Sequence, residues 1–228
     1  MKISIIIPAY NEYENLLKSA EFFGKVKTSD LEIIVSDSKN SFDSTKNIGI
    51  PYTYLLSGVS GRAAQMNKGA QIAKGDILVF LHADVMPPLT FIQDIHLSIS
   101  HGFQFGFFAY RFEPTSFMLD LNAGFTGKKG IFSGGGDQIQ YMTKSLYDAL
   151  NGYDENFCIM EDFDFFRRVR KNKIPFDIIQ NMATVSSRKY ANNSWLRVNF
   201  ANLVVFILFL CYVKPVFIKS VYYKILKK

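Results

Sequence analysis

The chain has 228 residues, 48% of them hydrophobic, and a formal charge of +6. That length fits one domain with an appendage, and that apolar content supplies a sizeable core, which excludes intrinsic disorder. The positive balance suits an anionic partner, but there is no RNA-binding signature and no helix of regularly spaced arginines, so no nucleic-acid ligand is expected.

Cys158 and Cys211 make no disulfide framework, and no Cys/His cluster has zinc spacing. The default setting is therefore reducing and cytoplasmic. Residues 3–7 are too short a run before Pro8 to serve as the apolar region of a secretory signal. The same β-branched run reads as a first strand that Pro8 ends. Asn11 suits an N-cap, with Glu14 three residues on as in a capping box. Leu16, Leu17, Ala20 and Phe23 follow at helical spacing. Residues 31–35 read as a second buried strand, ending in Ser36, Asp37 and Ser38. A polar stretch follows, with a helix start at Asp43, then a third strand at 52–56 and a helix over 60–74. Residues 77–81 form an apolar run between Gly75-Asp76 and Pro87-Pro88, a strand buried on both faces that ends in His82, Ala83 and Asp84.

Four strands alternating with helical segments imply βαβ units and a parallel sheet. Tyr10, Glu12, Asp37, His82 and Asp84 then gather at one rim, where ligands of open α/β sheets bind. Asp84 either caps the turn into Pro87 or holds a divalent metal and, through it, a phosphate. Further on, a helix runs to about residue 100, an aromatic-rich strand covers 103–112, and a helix covers 116–125. A glycine loop at 133–137 precedes a strand at 139–142 and a helix at 144–150. Glu161 and Asp162 open a helix reaching about residue 172, and 175–179 is a strand. From residue 192 the composition shifts. Residues 203–213 are apolar and uncharged, yet shorter than the roughly 20 residues that span a bilayer. They read as a core-packing or interfacial helix. Residues 216–226, with Lys219 and Lys224, suit an anionic membrane surface, a dimer interface or packing on the preceding domain alike.

The motifs, in this order, carry a resemblance. The run from Ser4 through Pro8, Tyr10, Asn11 and Glu12 resembles the opening motif of family 2 glycosyltransferases of the GT-A fold. The strand from Gly75 to Asp84 resembles the one bearing their two-carboxylate element, and Glu161-Asp162 their "ED" helix start. More narrowly, Gly61-Arg62-Ala-Ala-Gln65-Met66-Asn67-Lys-Gly69-Ala70, Leu81-His82-Ala83-Asp84 and Gly136-Asp137-Gln138 resemble a small bacterial subgroup of that family. The resemblance covers roughly residues 2–190. It implies an α/β GT-A (Rossmann-like) domain over 1–190, with a mostly parallel central sheet flanked by helices and a C-terminal helical appendage over 191–228. It also implies transfer of a single sugar, with inversion, from a nucleotide-diphosphate sugar.

Under that resemblance Pro8, Tyr10, Glu12, Asp37, Arg62 and Ala83 bind the nucleotide sugar. Asp84 and His82 hold Mn²⁺ or Mg²⁺. Asp162 is the base, with Glu161 beside it, and Gly135, Gly136 and Asp137, followed by Gln138, form the acceptor floor. Each position also has a plainer reading. Tyr10 can cover the sheet edge, Asp37 can cap a turn, and Arg62 can be a solvated surface residue. The adjacent carboxylates can simply complement a helix dipole, and the glycine loop can be a linker. Asn67 and Gly69 read as packing and turn residues. Three departures stand out. The loop after Asp37 has an extra residue, His82 replaces the first metal carboxylate, and the Gln-x-x-Arg-Trp motif of processive synthases is absent, which favours single transfer. The acceptor is unspecified, and a lipid-linked one would suit a membrane-facing tail. Rival readings are a non-catalytic nucleotide-sugar binder or membrane-associated scaffold and, with less support, a sugar-phosphate nucleotidyltransferase, whose glycine-rich first loop is missing here.

Overall fold

The computed structural model describes residues 1–26, 29–49, 51–130, 133–135 and 137–226. In chain order the elements are β1 (Ile3–Ala9), α1 (Tyr13–Lys25), β2 (Leu31–Asp37), β3 (Thr53–Leu56), α2 (Arg62–Ile72), β4 (Ile77–Phe80), β5 (Val85–Met86) and α3 (Phe91–Ser100). There follow β6 (Phe105–Glu113), α4 (Phe117–Ala123), β7 (Gln140–Thr143), α5 (Lys144–Ala149), α6 (Glu161–Lys171), β8 (Phe176–Ser186), α7 (Trp195–Leu210) and α8 (Pro215–Ile225).

The strands form one mixed sheet in the order β3-β2-β1-β4-β7-β6-β8-β5. Pairings among β3, β2, β1 and β4 are parallel. β7 enters antiparallel between β4 and β6, and β6 pairs in parallel with β8. Alternation along β1 sorts the core into two layers. Ile3, Ile5 and Ile7 pack with Leu16 and Phe23 of α1 and Phe91 and Ile95 of α3. Ile6 packs with Met66 of α2, Leu146 of α5 and Phe165 of α6. A third, smaller cluster joins Met160 to Val205, Phe206 and Phe209 of α7 and Ile218 of α8, with Phe157 and Phe163 against it. No helix among the described residues is long and apolar enough to cross a membrane.

Local chemistry corrects three expectations. Pro8 does not end β1, which runs on to Ala9. Register with β4 stops at Ile6 opposite Phe80, so the amide that Pro8 lacks points past the end of that neighbour and no ladder bond is lost. Asn11 is not the cap of α1. It sits at φ 56°, and its Oδ1 accepts from the Phe42 amide at 3.0 Å. The first amide of α1, on Tyr13, donates instead to Asp43 Oδ2 at 2.9 Å, so a loop thirty residues away supplies the cap. Lastly, the strand expected at 175–179 continues to Ser186.

Candidate active site

The carboxyl ends of β1 and β4 open into a cavity of about 990 Å³. Pro8 lines it from β1, Tyr10 and Glu12 from the turn that follows β1, and His82, Ala83 and Asp84 from the loop after β4. Arg62 enters from the start of α2, Gly135, Asp137 and Gln138 from the loop before β7, and Asp162 from α6. Leu203, Lys219 and Tyr222 close the end nearest α7 and α8. Two expected residues are not in this wall. Asp37 is 2% exposed, its carboxylate accepting from the Ser38 amide and the Tyr54 hydroxyl, both at 3.0 Å. Burial pushes its carboxyl above the usual range, against those hydrogen bonds. Glu161 is 1% exposed and lies behind the wall. Gly136 falls outside the described residues.

Opposite charges pair in and behind the cavity wall. Arg62 Nε lies 2.6 Å from Glu161 Oε1. Burial raises the Glu161 carboxyl, Arg62 pulls it back, and neighbouring Asp162 raises it again; the balance stays above the ordinary value. Burial works against the Arg62 charge, but Glu161, Asp162 and Asp137 outweigh it and hold the guanidinium firmly protonated. His82 Nε2 stands 3.8 Å from Asp162 Oδ2. Burial disfavours the imidazolium, yet Asp162 and Asp84 leave the His82 pKa raised.

Two functional candidates escape a reading of the sequence. Arg188 donates through Nη2 and Nη1 to the two Glu12 oxygens at 2.8 and 3.1 Å, while its Nε sits 3.1 Å from Asp84 Oδ2. The hydrogen bond to Glu12 leads in raising its pKa, burial opposes, and Asp84 adds to the rise. Next to it, Lys189 pairs with Asp137. Burial alone would raise the Asp137 carboxyl, but Lys189 holds it below the ordinary range. The available signal was the adjacent pair of cations in a polar stretch. What hid it was the length of β8, which carries them up to the rim.

The motif on α2 holds the rim together. Gln65 Nε2 donates to the Ala9 and Ser36 carbonyls at 2.6 and 2.8 Å, tying the ends of β1 and β2. Asn67 Nδ2 donates to the Tyr153 carbonyl at 2.9 Å, and its Oδ1 accepts the Tyr153 amide at 3.0 Å. At Gly69 a Cβ would meet Ile6 Cγ2 at 2.5 Å, so glycine lets the helix lie directly on β1. The glycine loop follows the same logic. A Cβ on Gly135 would collide with the Phe163 ring, so that glycine answers to α6 as well as to the cavity it lines. Gln140 then links the loop to the helix, donating to the Gly134 carbonyl at 2.5 Å and the Asp162 carbonyl at 3.3 Å. Met160, just before α6, sits at φ 67°, a conformation rarely adopted without glycine and common where a site is held under constraint.

His82 and Asp84 reach the cavity from one short loop, and among the described residues no group of three or more His, Cys, Asp or Glu side chains could hold an ion. One carboxylate with one imidazole leaves most of an octahedral shell to water and phosphate oxygens. The residues therefore fit an ion shared with a bound diphosphate, not a cage made by protein alone.

A parallel half-sheet continued by a mixed half, with a cavity lined by both carboxylates and cations where the order reverses, defines a GT-A α/β domain. The chain belongs to glycosyl transferase family 2, whose pattern residues 4–157 match. It is 28% identical over 112 residues to a dolichol-phosphate mannosyltransferase of Pyrococcus furiosus, covering 45% of this chain and 31% of that protein. Its fold is similar to that of a Pyrobaculum calidifontis mannosyltransferase in complex with GDP-Man and Mn²⁺ (TM-score 0.69, 17% identity, 90% of this chain and 62% of that one). It is also similar to the glucosyl-3-phosphoglycerate synthase of Mycobacterium tuberculosis in complex with Mn²⁺, UDP and glucosyl-3-phosphoglycerate (TM-score 0.61, 18% identity, 93% of this chain and 80% of that one). The chain spans less than two thirds of both the Pyrococcus relative and the Pyrobaculum structure.

Proposed function

We propose that this chain transfers one sugar from a nucleotide-diphosphate sugar to an acceptor hydroxyl, with inversion at the sugar carbon. The observation that carries this reading is the single cavity that joins Tyr10, Glu12 and Asp84 to the carboxylate of Asp162. Family membership supports transfer chemistry, and the complexes of the structural neighbours with GDP-Man and with Mn²⁺ and UDP support the donor class.

In this mechanism Pro8, Tyr10, Glu12 and Ala83 bind the nucleoside side of the donor, with Asp37 supporting that rim from beneath. Arg62, at the positive end of α2, and Arg188 face the diphosphate. Asp84, with His82, would hold Mn²⁺ or Mg²⁺, which when bound supplies Lewis-acid stabilisation of the leaving diphosphate. Asp162 takes the acceptor proton as the hydroxyl oxygen bonds to the sugar carbon. The bond from that carbon to the diphosphate oxygen breaks, and its electron pair leaves with the diphosphate. Glu161 contributes by fixing Arg62, and Gly135, Gly136 and Asp137 form the floor beneath the acceptor. Residues 1–190 make the transferase domain, and 191–228 an extension that closes the acceptor end.

The subgroup motifs around Arg62, His82 and Asp137 place the chain, in this reading, with small bacterial members of the family acting from the cytoplasmic side. The dolichol-phosphate relative supports a lipid-linked acceptor.

A thermal-shift series with UDP, GDP, CDP and dTDP, each with and without Mn²⁺, tests the donor site. Binding to the native state alone raises stability by an amount set by concentration over affinity. The expected result is a shift with one nucleotide that grows with Mn²⁺. A shift with none would overturn the donor site, and tight binding without turnover would instead favour a non-catalytic binder.

A further inference from the structure

We infer that the outer faces of α7 and α4 form a docking surface for an anionic lipid bilayer. The docking stands on the surface alone; its link to the acceptor rests on the proposed function. Leu196, Phe200, Leu203, Ile207 and Leu210 recur along α7 in steps of four and three, which sets them in one stripe. All five are between 48% and 72% exposed. The opposite face, with Val198, Val205 and Phe209, is buried. The helix is thus apolar on two sides and the fold covers one.

α4 lies alongside. Trp195 Nε1 donates to the Met118 carbonyl at 3.0 Å, and Asn122 Nδ2 to Asn199 Oδ1 at 3.1 Å. Phe117, Leu121 and Phe125, four residues apart, extend the apolar surface and are exposed. Val216 and Phe217 extend it past the far end of α7. A patch of this extent marks an interaction site.

Charge decides the partner. After Asp177 the chain contains no further Asp or Glu. Arg197, Lys214, Lys219 and Lys224 are all exposed around the two helices. The nearby carboxylate, Asp120 of α4, is engaged by Thr115. A second copy would bring the same basic rim against this one, which costs energy. Anionic headgroups complement the rim while acyl chains cover the stripe. With 16 and 11 residues, α7 and α8 are too short to cross a bilayer and would lie in its plane. Leu203 belongs to both the stripe and the cavity wall, and Lys219 lines the cavity as well. The cavity wall therefore adjoins the plane where a lipid-borne hydroxyl or phosphate would present itself.

The test is co-sedimentation of the full chain with phosphatidylcholine vesicles, with and without phosphatidylglycerol. Binding is expected only to the anionic vesicles, falling as salt rises. Neutralising Lys214 and Lys224 (K214Q, K224Q) should weaken it by about fivefold per lysine. F200E with I207E, neither lining the cavity, should abolish it while the nucleotide-dependent thermal shift persists. Asp162→Asn should leave vesicle binding intact, so a failed transfer mechanism cannot pass for failed docking. Absence of binding, binding indifferent to both pairs of variants, or a stable dimer in sedimentation velocity that F200E with I207E dissociates would each overturn the inference.

Discussion

Arg188 bridges two carboxylates that have different tasks in the proposed reaction. Glu12 belongs to the nucleoside side, and Asp84 is the metal candidate. Replacing Arg188 by alanine releases Asp84, so binding of Mn²⁺ without nucleotide should tighten by about two- to fivefold, the scale of a half-exposed ion pair. Binding of the nucleoside diphosphate should weaken in the same variant, and calorimetric titration of each ligand reads both. Asp84→Asn and Asp162→Asn should leave the fold intact. Loss of the base should slow transfer by about a hundred- to ten-thousandfold, and near wild-type rates in a sugar-transfer assay would refute either role. That Asp84 and Asp162 meet in one cavity was legible in the sequence because short motifs fix them next to a strand end and a helix start. Arg188 was not, since its place depends on how far β8 runs, and a strand's length depends on the neighbours that pair with it rather than on its own residues. Glu161 was legible as a carboxylate but not as one turned away from the cavity. Which of two adjacent helix residues faces inward follows from the docking of α6, which no local pattern records.

At the scale of elements, the motif on α2 is mainly architecture, with Arg62 its one expected ligand residue. Gln65 ties two strand ends, Asn67 pins the turn at Tyr153, and Gly69 lets the helix settle on Ile6. Of its marked residues, Arg62 and Gln65 reach the cavity. The loop before β7 is similar. Gly135 is required by the Phe163 ring, so Gly135→Ala overpacks the contact at a cost of about 1–3 kcal/mol. Its Tm should fall by about 2–12 °C in a thermal melt. An unchanged Tm would mean that the loop moves freely off α6. The parallel half of the sheet was readable from the alternation of apolar runs and helical spacing. The cap of α1 was not, because Asp43 supplies it from a distant loop, and the passage of β1 through Pro8 depends on where β4 stops.

For the whole molecule, the sequence marks 203–213 as apolar without saying which side is covered. The structure sets Phe206 and Phe209 against Phe163, with ring centroids 5.5 and 6.2 Å apart. Arg167 of α6 lies over the Phe209 and Tyr212 rings at 4.6 and 5.0 Å. The C-terminal helices therefore share a core with the helix that begins at Glu161 and Asp162. From that shared core we expect a boundary near residue 190 to be one of sequence and not of cooperativity. Calorimetry of the full chain should give one unfolding transition whose calorimetric and van't Hoff enthalpies agree. Two separated transitions would show that α7 and α8 come away alone. A fragment ending at residue 190 would bare Phe157, Met160 and Phe163 to water, and the first property lost would be solubility, before any question of catalysis arose.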